Sequence, residues 1–246
     1  MRLVLEYDGG EFCGWQRQRG RRSVEAELCA ALESLTGEPS LVCAAGRTDA
    51  GAHAEGQVVN FRYRGRLPLA RLGSALNALL PPDLCVLSAE AVDPHFHARH
   101  LALRRVYRYS WCDRPARAVL GRERLFQVWR RLSEEAMAEA ALALVGEHDW
   151  TTFCRARGSD GASPRARVRP IMAAELARTG DRVDLQLTGL GFLRGLIRGL
   201  AGELTEIGLG RREPGDLGRL IAARDRRLAP KPAPARGLTL VRVEYA

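Results

Sequence analysis

A chain of 246 residues can form one large domain or two domains of about 100–150 residues, and its hydrophobic content of 46% is sufficient for a packed core. The formal net charge of +9 favours a polyanionic partner. Arginine supplies this charge, since Lys231 is the only lysine; its guanidinium matches phosphate, although a GC-rich genome would also favour arginine. The apolar stretch 187–209 contains Arg194, Arg198 and Glu203, which excludes a membrane span there.

The cysteines and the N-terminus indicate a cytoplasmic protein. None of the six cysteines forms a C-x-x-C pair, and several lie in apolar runs, as buried reduced thiols do. Neither a disulfide framework nor a zinc site is expected from them. The N-terminus enters an apparent strand at once, so no signal peptide is expected.

The first hundred residues predict strands and helices in a ferredoxin-like order. Period-two or continuous apolar runs indicate strands, and apolar stripes bounded by Ser23 and Gly37, or by Pro68 and Pro81, indicate helices. The predicted elements are a strand over Arg2–Tyr7, a helix over Ser23–Thr36, a buried strand over Leu41–Ala45, a strand over Val58–Phe61, a helix from Pro68 and a strand over Leu84–Val92. The order is β-α-β-β-α-β.

A polar loop bounded by Gly46 and Gly51 separates the two middle strands. Asp49 lies beside Arg47 in this loop, which places a carboxylate at the end of a strand where backbone or ligand can approach closely. Such a carboxylate can be a reactive group on a rigid scaffold. It can equally be a turn residue that accepts hydrogen bonds from its own backbone.

Basic residues cluster between Phe12 and Arg22. An aromatic residue, Trp15, together with clustered arginines is typical of a loop that contacts an RNA backbone. The alternative is a solvated basic loop with Trp15 in the core. We assign RNA binding to Arg17, Arg19, Arg21, Arg22, Arg99 and Arg105. The nearby His95, His97 and His100 lack a cysteine or carboxylate that would complete a familiar zinc pattern, so no metal is expected.

The second half repeats a similar order of elements. Leu101–Cys112 alternates, with Tyr107, Tyr109 and Trp111 on one face that is either core or a base-stacking platform, Tyr107 being the ambiguous residue. After it we predict a helix from Ser133 and a basic loop over Cys154–Arg169, which we expect to become ordered when RNA binds. The remaining predicted elements are strands over Ile171–Arg178 and Arg182–Thr188, helices over Phe192–Leu209 and Pro214–Ala223, an extended linker over Arg226–Arg236 and a strand over Leu238–Glu244.

Several short motifs carry a resemblance in their order and separation. They are Tyr7–Gly9, Gly14–Gln18, Gly46–Ala54, Leu80–Asp83, Phe96–Arg99, Arg105–Tyr109, Gly191–Arg198 and Gly237–Leu238. The Gly46–Ala54 segment, Gly-Arg-Thr-Asp-Ala-Gly-x-His-Ala, is long and specific. Together these motifs resemble the tRNA pseudouridine synthase A family almost from end to end. Ala52, Leu196, Gly199 and Thr239 depart from the family's usual residues without removing a catalytic group.

The resemblance implies an α+β fold: two ferredoxin- or RRM-like halves, residues 1–100 and 101–246, with mixed, mainly antiparallel sheets side by side and a basic active-site cleft between them. It implies a homodimer that uses no metal or organic cofactor and converts uridines 38, 39 and 40 in the anticodon stem-loop of tRNA to pseudouridine. It also implies that Asp49 is the catalytic nucleophile, that Arg198 is its ion-pair partner, that Tyr107 stacks on the target base and that Arg47 contacts the RNA beside the flipped nucleotide.

Two other classes of function stay open from the residues alone. A non-catalytic RNA-binding protein with two RRM-like sheets would explain the charge and Tyr107 but gives no reason for Asp49, because a carboxylate weakens RNA binding. A nucleotide-dependent oxidoreductase would use the Gly189–Gly195 turn, but its G-x-G-x-x-x-G spacing does not match the dinucleotide-binding pattern.

Overall fold

The computed structural model describes residues 1–154 and 167–246. These residues divide into two compact units. Unit 1 contains Met1–Arg105 together with Thr239–Ala246, and unit 2 contains Val106–Leu238. The basic loop predicted over Cys154–Arg169 lies largely outside the described residues. Within the described ranges, no helix combines the length and the apolarity that crossing a membrane requires.

Unit 1 has the predicted ferredoxin-like order. Its elements are β1 (Arg2–Tyr7), α1 (Val24–Thr36), β2 (Cys43–Ala44), β3 (His53–Asn60), α2 (Leu69–Asn77), β4 (Leu84–Glu90) and β10 (Leu238–Glu244), of which Thr239–Glu244 belong to this unit. The strands lie in the order β4-β1-β3, and β2 and β10 pair with different parts of β3. The pairs of β1 with β3 and β4 are antiparallel, whereas β10 is parallel to β3. The α+β expectation is therefore confirmed for this unit.

The bounds of α1 follow from its capping residues. The Ser23 hydroxyl accepts a hydrogen bond from the Ala26 N–H, and Gly37 ends the helix in the left-handed conformation. Val24, Leu28 and Leu32 form the buried stripe of the helix.

Two strand predictions in unit 1 were wrong in extent. The strand predicted over Val58–Phe61 begins five residues earlier, as β3 over His53–Asn60. The run Leu41–Ala45 was expected to be a buried strand, but the strand contains only Cys43 and Ala44, and the Leu41 side chain is 94% exposed. The residues before Cys43 have no ladder partner on β3, because β2 pairs only with Asn60 and Val59 at the end of that strand. An apolar run without a partner strand cannot satisfy its backbone groups as a sheet strand does.

Unit 2 also mixes strands and helices. Its elements are β5 (Arg104–Cys112, in this unit from Val106), β6 (Phe126–Gln127), α3 (Glu134–Leu142), β7 (Gly146–Asp149), β8 (Val168–Thr179), β9 (Arg182–Gly189), α4 (Leu196–Gly208) and α5 (Gly215–Ala223). The strands lie in the order β5-β9-β8-β7, and β6 is parallel to β5. The predicted strands over Ile171–Arg178 and Arg182–Thr188 are confirmed as the antiparallel pair β8 and β9. The short strands β6 and β7 were not predicted.

Several predictions for the second half differ from the structure in their bounds. Strand β5 begins at Arg104 and not at Leu101, and β8 begins at Val168 and not at Ile171. The helix predicted from Phe192 begins at Leu196, because Gly195 adopts a left-handed conformation with φ of 78°. The predicted extended linker over Arg226–Arg236 contains two single turns of 3₁₀ helix, at Arg226–Leu228 and Ala235–Gly237.

The aromatic face of β5 forms part of the core of unit 2. Tyr109 and Trp111 are fully buried, so the core interpretation of these two residues is confirmed. The indole N–H of Trp111 donates to Thr205 Oγ1 on α4 over 2.8 Å, and the Tyr109 hydroxyl donates to the Pro234 carbonyl over 2.8 Å. Both polar ends of these large side chains are thereby satisfied inside the protein.

Glu203 on α4 is a buried carboxylate with little compensation. Its side chain is fully buried, and neither carboxylate oxygen has a hydrogen-bond donor among the described residues. The nearest cation is Arg212, whose Nε lies 3.4 Å from Oε1 while the arginine side chain itself is 43% exposed. Burial therefore raises the pKa of Glu203 above its ordinary value, and Arg212 offsets this only in part.

We predict that Glu203→Gln raises the free energy of unfolding at pH 8 by about 1 kcal/mol, because an uncharged group is less costly to bury. The penalty for the wild-type carboxylate develops as pH rises from its unfolded-state pKa through the raised folded-state pKa. The stabilisation should therefore shrink as the pH is lowered toward 4.5, the ordinary pKa of the group. Urea unfolding of both proteins across this range measures the effect, and a constant difference at every pH would contradict it.

Candidate functional site

The polar loop of unit 1 connects β2 to β3 and carries the predicted catalytic residues. Within it, exposure alternates along the chain: Arg47 is exposed, Thr48 is buried and Asp49 is half-buried. The two charged side chains are thus the accessible ones, and the residue between them is held inside. In this part of the loop the neutral Thr48 is therefore inward, and the charged residues on either side of it are more accessible.

Backbone hydrogen bonds attach this loop to the segment that follows β1. The Trp15 N–H donates to the Thr48 carbonyl over 3.1 Å, and the Gly51 N–H donates to the Phe12 carbonyl over 3.3 Å. The Ala52 N–H donates to the Asp49 carbonyl over 3.1 Å, which closes the turn. Asp49 is therefore fixed by hydrogen bonds to the residues on both sides of it.

Gly14 permits this close approach of two backbone segments. Its φ is +102°, and a Cβ at this position would lie 2.8 Å from the Thr48 carbonyl oxygen. A side chain here would combine an unfavourable backbone conformation with a clash against a carbonyl that cannot move without moving Asp49. The glycine is required by the packing of the loop.

Side-chain hydrogen bonds also hold the loop, in addition to the backbone hydrogen bonds. The hydroxyls of Tyr7 and Thr48 lie 2.9 Å apart, and Gln57 Nε2 donates to the Gly46 carbonyl over 2.7 Å. The Gly9 N–H donates to Nδ1 of the buried His53 over 3.0 Å. Tyr7, Gln57 and His53 were not predicted as site residues from the sequence. Polar side chains at buried positions of an otherwise apolar strand were the available signal.

Arg105, predicted to bind RNA, is only 7% exposed. Its Nε and Nη2 donate to the Ala45 carbonyl over 3.0 and 2.8 Å, and Nη2 also donates to the Arg99 carbonyl over 2.7 Å. The guanidinium thus joins the residue before Gly46 to the segment that carries Arg99. Its predicted contact with RNA stays a prediction, and in this structure the side chain supports the backbone that leads into the loop.

The other predicted RNA-binding arginines differ in exposure. Arg17, Arg19, Arg21 and Arg99 are exposed. Arg22 is half-buried, with Nη1 and Nη2 donating to the two carboxylate oxygens of Asp83 over 2.6 and 2.7 Å. Its guanidinium lies 4.2 Å from the centre of the Phe12 ring, and hydrogen bonding from Arg22 lowers the pKa of Asp83. Trp15 is buried, as expected if the loop is a solvated basic segment anchored by its aromatic residue.

In unit 2, Arg198 and Tyr107 are each held by contacts within that unit. Arg198 lies in the first turn of α4, and its Nε donates to the Ala233 carbonyl over 2.8 Å. The Ala233 N–H donates in return to the Arg198 carbonyl over 2.8 Å. Tyr107 is 6% exposed and packs edge-to-face against Phe192, with ring centres 5.2 Å apart.

The structure also bears on two other kinds of site, a metal site and a dinucleotide-binding turn. Among residues 1–154 and 167–246, no group of three or more His, Cys, Asp or Glu side chains is arranged to hold a metal ion. The Gly189–Gly195 turn follows β9, whose pairing with β8 is antiparallel. A dinucleotide-binding turn belongs to a unit with parallel strands, so the oxidoreductase interpretation gains no support.

Comparison with known proteins agrees with the residues of the loop. A family model described as tRNA pseudouridine synthase matches residues 3–100 and 140–246, so both units contain matched residues. The chain belongs to the tRNA pseudouridine synthase family, which consists of isomerases. Its substrate class is therefore tRNA and its reaction the isomerisation of uridine.

Curated relatives match over nearly their whole length. The chain is 41% identical to the tRNA pseudouridine synthase A of Moorella thermoacetica, covering 100% of this chain and 99% of that protein. It is 43% identical to the protein of the same name from Thermus thermophilus, covering 99% and 95%. A solved structure titled as a Cbf5-Nop10-Gar1 complex aligns with 83% of this chain and 54% of that chain, at 12% identity and a TM-score of 0.36.

We predict that Gly14→Ala lowers the free energy of unfolding by about 2–4 kcal/mol and the turnover of tRNA by at least about tenfold, since the new methyl group displaces the Thr48 carbonyl. Gly37→Ala is the matched control: Gly37 also has a positive φ, of +74°, but a Cβ added to it would meet no atom within 4 Å. It should lose about 1 kcal/mol from backbone strain alone and keep its turnover. Urea unfolding and tRNA turnover measure both effects, and equal losses in the two variants would contradict the role assigned to Gly14.

Proposed function

We propose that the protein converts uridine to pseudouridine at positions 38, 39 and 40 in the anticodon stem-loop of tRNA, with Asp49 as the catalytic nucleophile. The observation that carries the proposal is the Gly46–Ala54 segment itself. It matches the family signature, and in the structure the half-buried Asp49 lies in a turn where Thr48, Asp49 and Gly51 all form backbone hydrogen bonds. A carboxylate that served only as a turn residue would not require such support on both sides.

The reaction exchanges one bond to the ribose for another. The C1′–N1 bond breaks, the uracil rotates, and C5 bonds to C1′; the proton lost from C5 is balanced by one gained at N1. The exchange is redox-neutral, so no oxidant or reductant takes part. Asp49 can form a covalent adduct at C1′ or at C6, or it can remove a ribose proton so that a glycal forms.

The other site residues are assigned supporting roles. The target base must leave the stack before C1′ and C5 can be reached. We assign Tyr107 to stacking on this base, Arg47 to the RNA beside the flipped nucleotide, and Arg198 to pairing with the reacting carboxylate. The exposure of Arg47 supports its role, and the roles of Tyr107 and Arg198 rest on the family resemblance. The family resemblance also supports a homodimer.

Asp49→Asn should abolish turnover while leaving tRNA binding intact, because the amide keeps the shape of the side chain but cannot act as a nucleophile. The purified protein is incubated with an unmodified tRNA transcript in the presence of EDTA, and pseudouridine is mapped by carbodiimide labelling and primer extension. We expect stops in the anticodon arm with the wild-type protein and none with the variant.

Asp93→Asn is the matched control for this experiment. Asp93 is a turn residue of the same unit whose carboxylate accepts a hydrogen bond from the His95 N–H over 2.7 Å. If Asp49 were also only a turn residue, the two variants would behave alike. Sustained turnover by pure Asp49→Asn, with deamidation excluded, would refute the nucleophile assignment. Binding without turnover in the wild-type protein would favour the non-catalytic RNA-binding alternative.

Arg19→Ala and Arg21→Ala should each weaken tRNA binding and reduce the slope of log K against log salt by about 1, as expected for the loss of one phosphate contact. Arg64→Ala is the control, since Arg64 is an exposed arginine of the same unit that lies outside the basic segment between Phe12 and Arg22, with its Nη1 3.7 Å from Glu38. Filter binding over a range of salt concentrations measures the slopes. Slopes equal to that of the wild-type protein in both loop variants would exclude Arg19 and Arg21 from the RNA interface.

A further inference from the structure

Three buried polar side chains meet at the Asp49 loop, one from the loop itself and one each from β1 and β3. They are Tyr7, Thr48 and Gln57, which are 2%, 7% and 0% exposed. The hydroxyls of Tyr7 and Thr48 are 2.9 Å apart, and Gln57 Nε2 lies 3.4 Å from the Tyr7 hydroxyl and 2.7 Å from the Gly46 carbonyl. We name these three residues the loop support. The chemistry proposed above does not use any of them.

Gln57 supplies a side-chain hydrogen bond at the point where the backbone ladder between β2 and β3 ends. Strand β2 pairs Ala44 with Val59, and the next hydrogen bond joins the Ala45 N–H to the Val58 carbonyl over 2.8 Å. At the following position the chain turns away from the sheet, and the side-chain amide of Gln57 binds the Gly46 carbonyl in place of a backbone N–H. A buried carbonyl without a partner would be costly, so this side chain fixes the direction in which the loop departs.

Tyr7 holds the loop at Thr48, two residues after the Gly46 carbonyl that Gln57 binds. Leu3 and Leu5 form the buried face of β1, and Tyr7 extends this face so that its hydroxyl reaches Thr48. Because the Thr48 carbonyl is also bound by the Trp15 N–H, both the hydroxyl and the carbonyl of Thr48 are held. Gly46 and Thr48 are therefore anchored inward, and the residues that alternate with them, Arg47 and Asp49, are directed outward.

We infer that Tyr7, Thr48 and Gln57 are positioning residues for the reaction, which hold the Asp49 carboxylate at the angle and depth that attack on the nucleotide requires. This inference rests on the proposed function. A nucleophile must be held close to its reacting geometry, and a displacement of about 1 Å caused by a change remote from the chemistry can reduce the rate about 100-fold. Removing one hydroxyl from the loop support should therefore affect the reaction more than it affects folding.

The Tyr7 hydroxyl has no part in proton transfer in this scheme. Burial raises the pKa of Tyr7 to about 12, although its hydrogen bonds with Thr48 and Gln57 lower it in part, so the phenol stays protonated around neutral pH. A positioning role for Tyr7 changes the rate without changing which groups titrate. The pH dependence of the reaction is consequently a readout that separates positioning from acid–base catalysis.

The test compares Tyr7→Phe, Thr48→Val and Thr48→Ser under single-turnover conditions with enzyme in saturating excess over tRNA, so that a partial loss of folded protein does not change the rate constant while the folded enzyme stays saturating. Tyr7→Phe and Thr48→Val should each lower the rate constant about 10- to 100-fold without changing tRNA affinity or the shape of the pH profile. Thr48→Ser keeps the hydroxyl and should restore most of the rate. The double variant Tyr7→Phe with Thr48→Val should be no slower than the slower single variant.

Tyr63→Phe is the matched control, since it removes a phenol hydroxyl of the same unit that donates to the Leu67 carbonyl over 3.0 Å. Hydrogen exchange of the peptide containing residues 46–52 gives a readout besides activity, and it should be faster in Tyr7→Phe than in the wild-type protein or in Tyr63→Phe. A wild-type rate constant in Tyr7→Phe, or a rate loss explained by weaker tRNA binding, would overturn the inference. The proposed function fails differently, through an inactive wild-type protein or an active Asp49→Asn variant.

Discussion

The constraint on which the functional region depends is the end of a hydrogen-bonded ladder. Strand β2 contains two residues, and after Ala45 the backbone leaves β3 while parts of it, such as Gly46 and Thr48, are still half-buried or buried. The buried backbone groups there have to find other partners. Arg105 binds the Ala45 carbonyl, Gln57 binds the Gly46 carbonyl and the Trp15 N–H binds the Thr48 carbonyl. Satisfying the backbone and orienting the carboxylate are thus achieved by the same hydrogen bonds, which is why a loop can be as well defined as a strand.

This arrangement divides the work between accessible and buried residues. In unit 1, the groups assigned to the chemistry and to RNA are mostly exposed or half-exposed, whereas those that fix them are neutral side chains or backbone groups inside the unit. Arg105 is the exception, because its charged side chain is buried; its three hydrogen bonds to carbonyl oxygens compensate for part of the cost. Reciprocal support also occurs in unit 2, where Arg198 and Ala233 exchange two hydrogen bonds.

The elements that could be predicted are those that a local pattern in the sequence defines. Ser23 and Gly37 determined the bounds of α1, alternation identified β1 and β5, and a nine-residue signature located Asp49 and led to the family. Long-range pairing was not predictable. Leu41 reads as a strand residue, yet it lacks a partner on β3, and Arg105 reads as a surface cation, although it lies beneath the loop. Gln57 and Tyr7 belong to different strands, so nothing local in either segment indicates that they meet.

The return of the chain to unit 1 has a consequence for how the protein folds during its synthesis. Strand β10 pairs with β3 at His53 and Ala54, where the Asp49 loop re-enters the sheet. This parallel partner is synthesised only after unit 2, so unit 1 emerges from the ribosome with this edge of β3 uncovered. An open strand edge can pair with other chains. The unit that bears the carboxylate is therefore completed last, and enzyme activity should arise only after unit 2 has been synthesised.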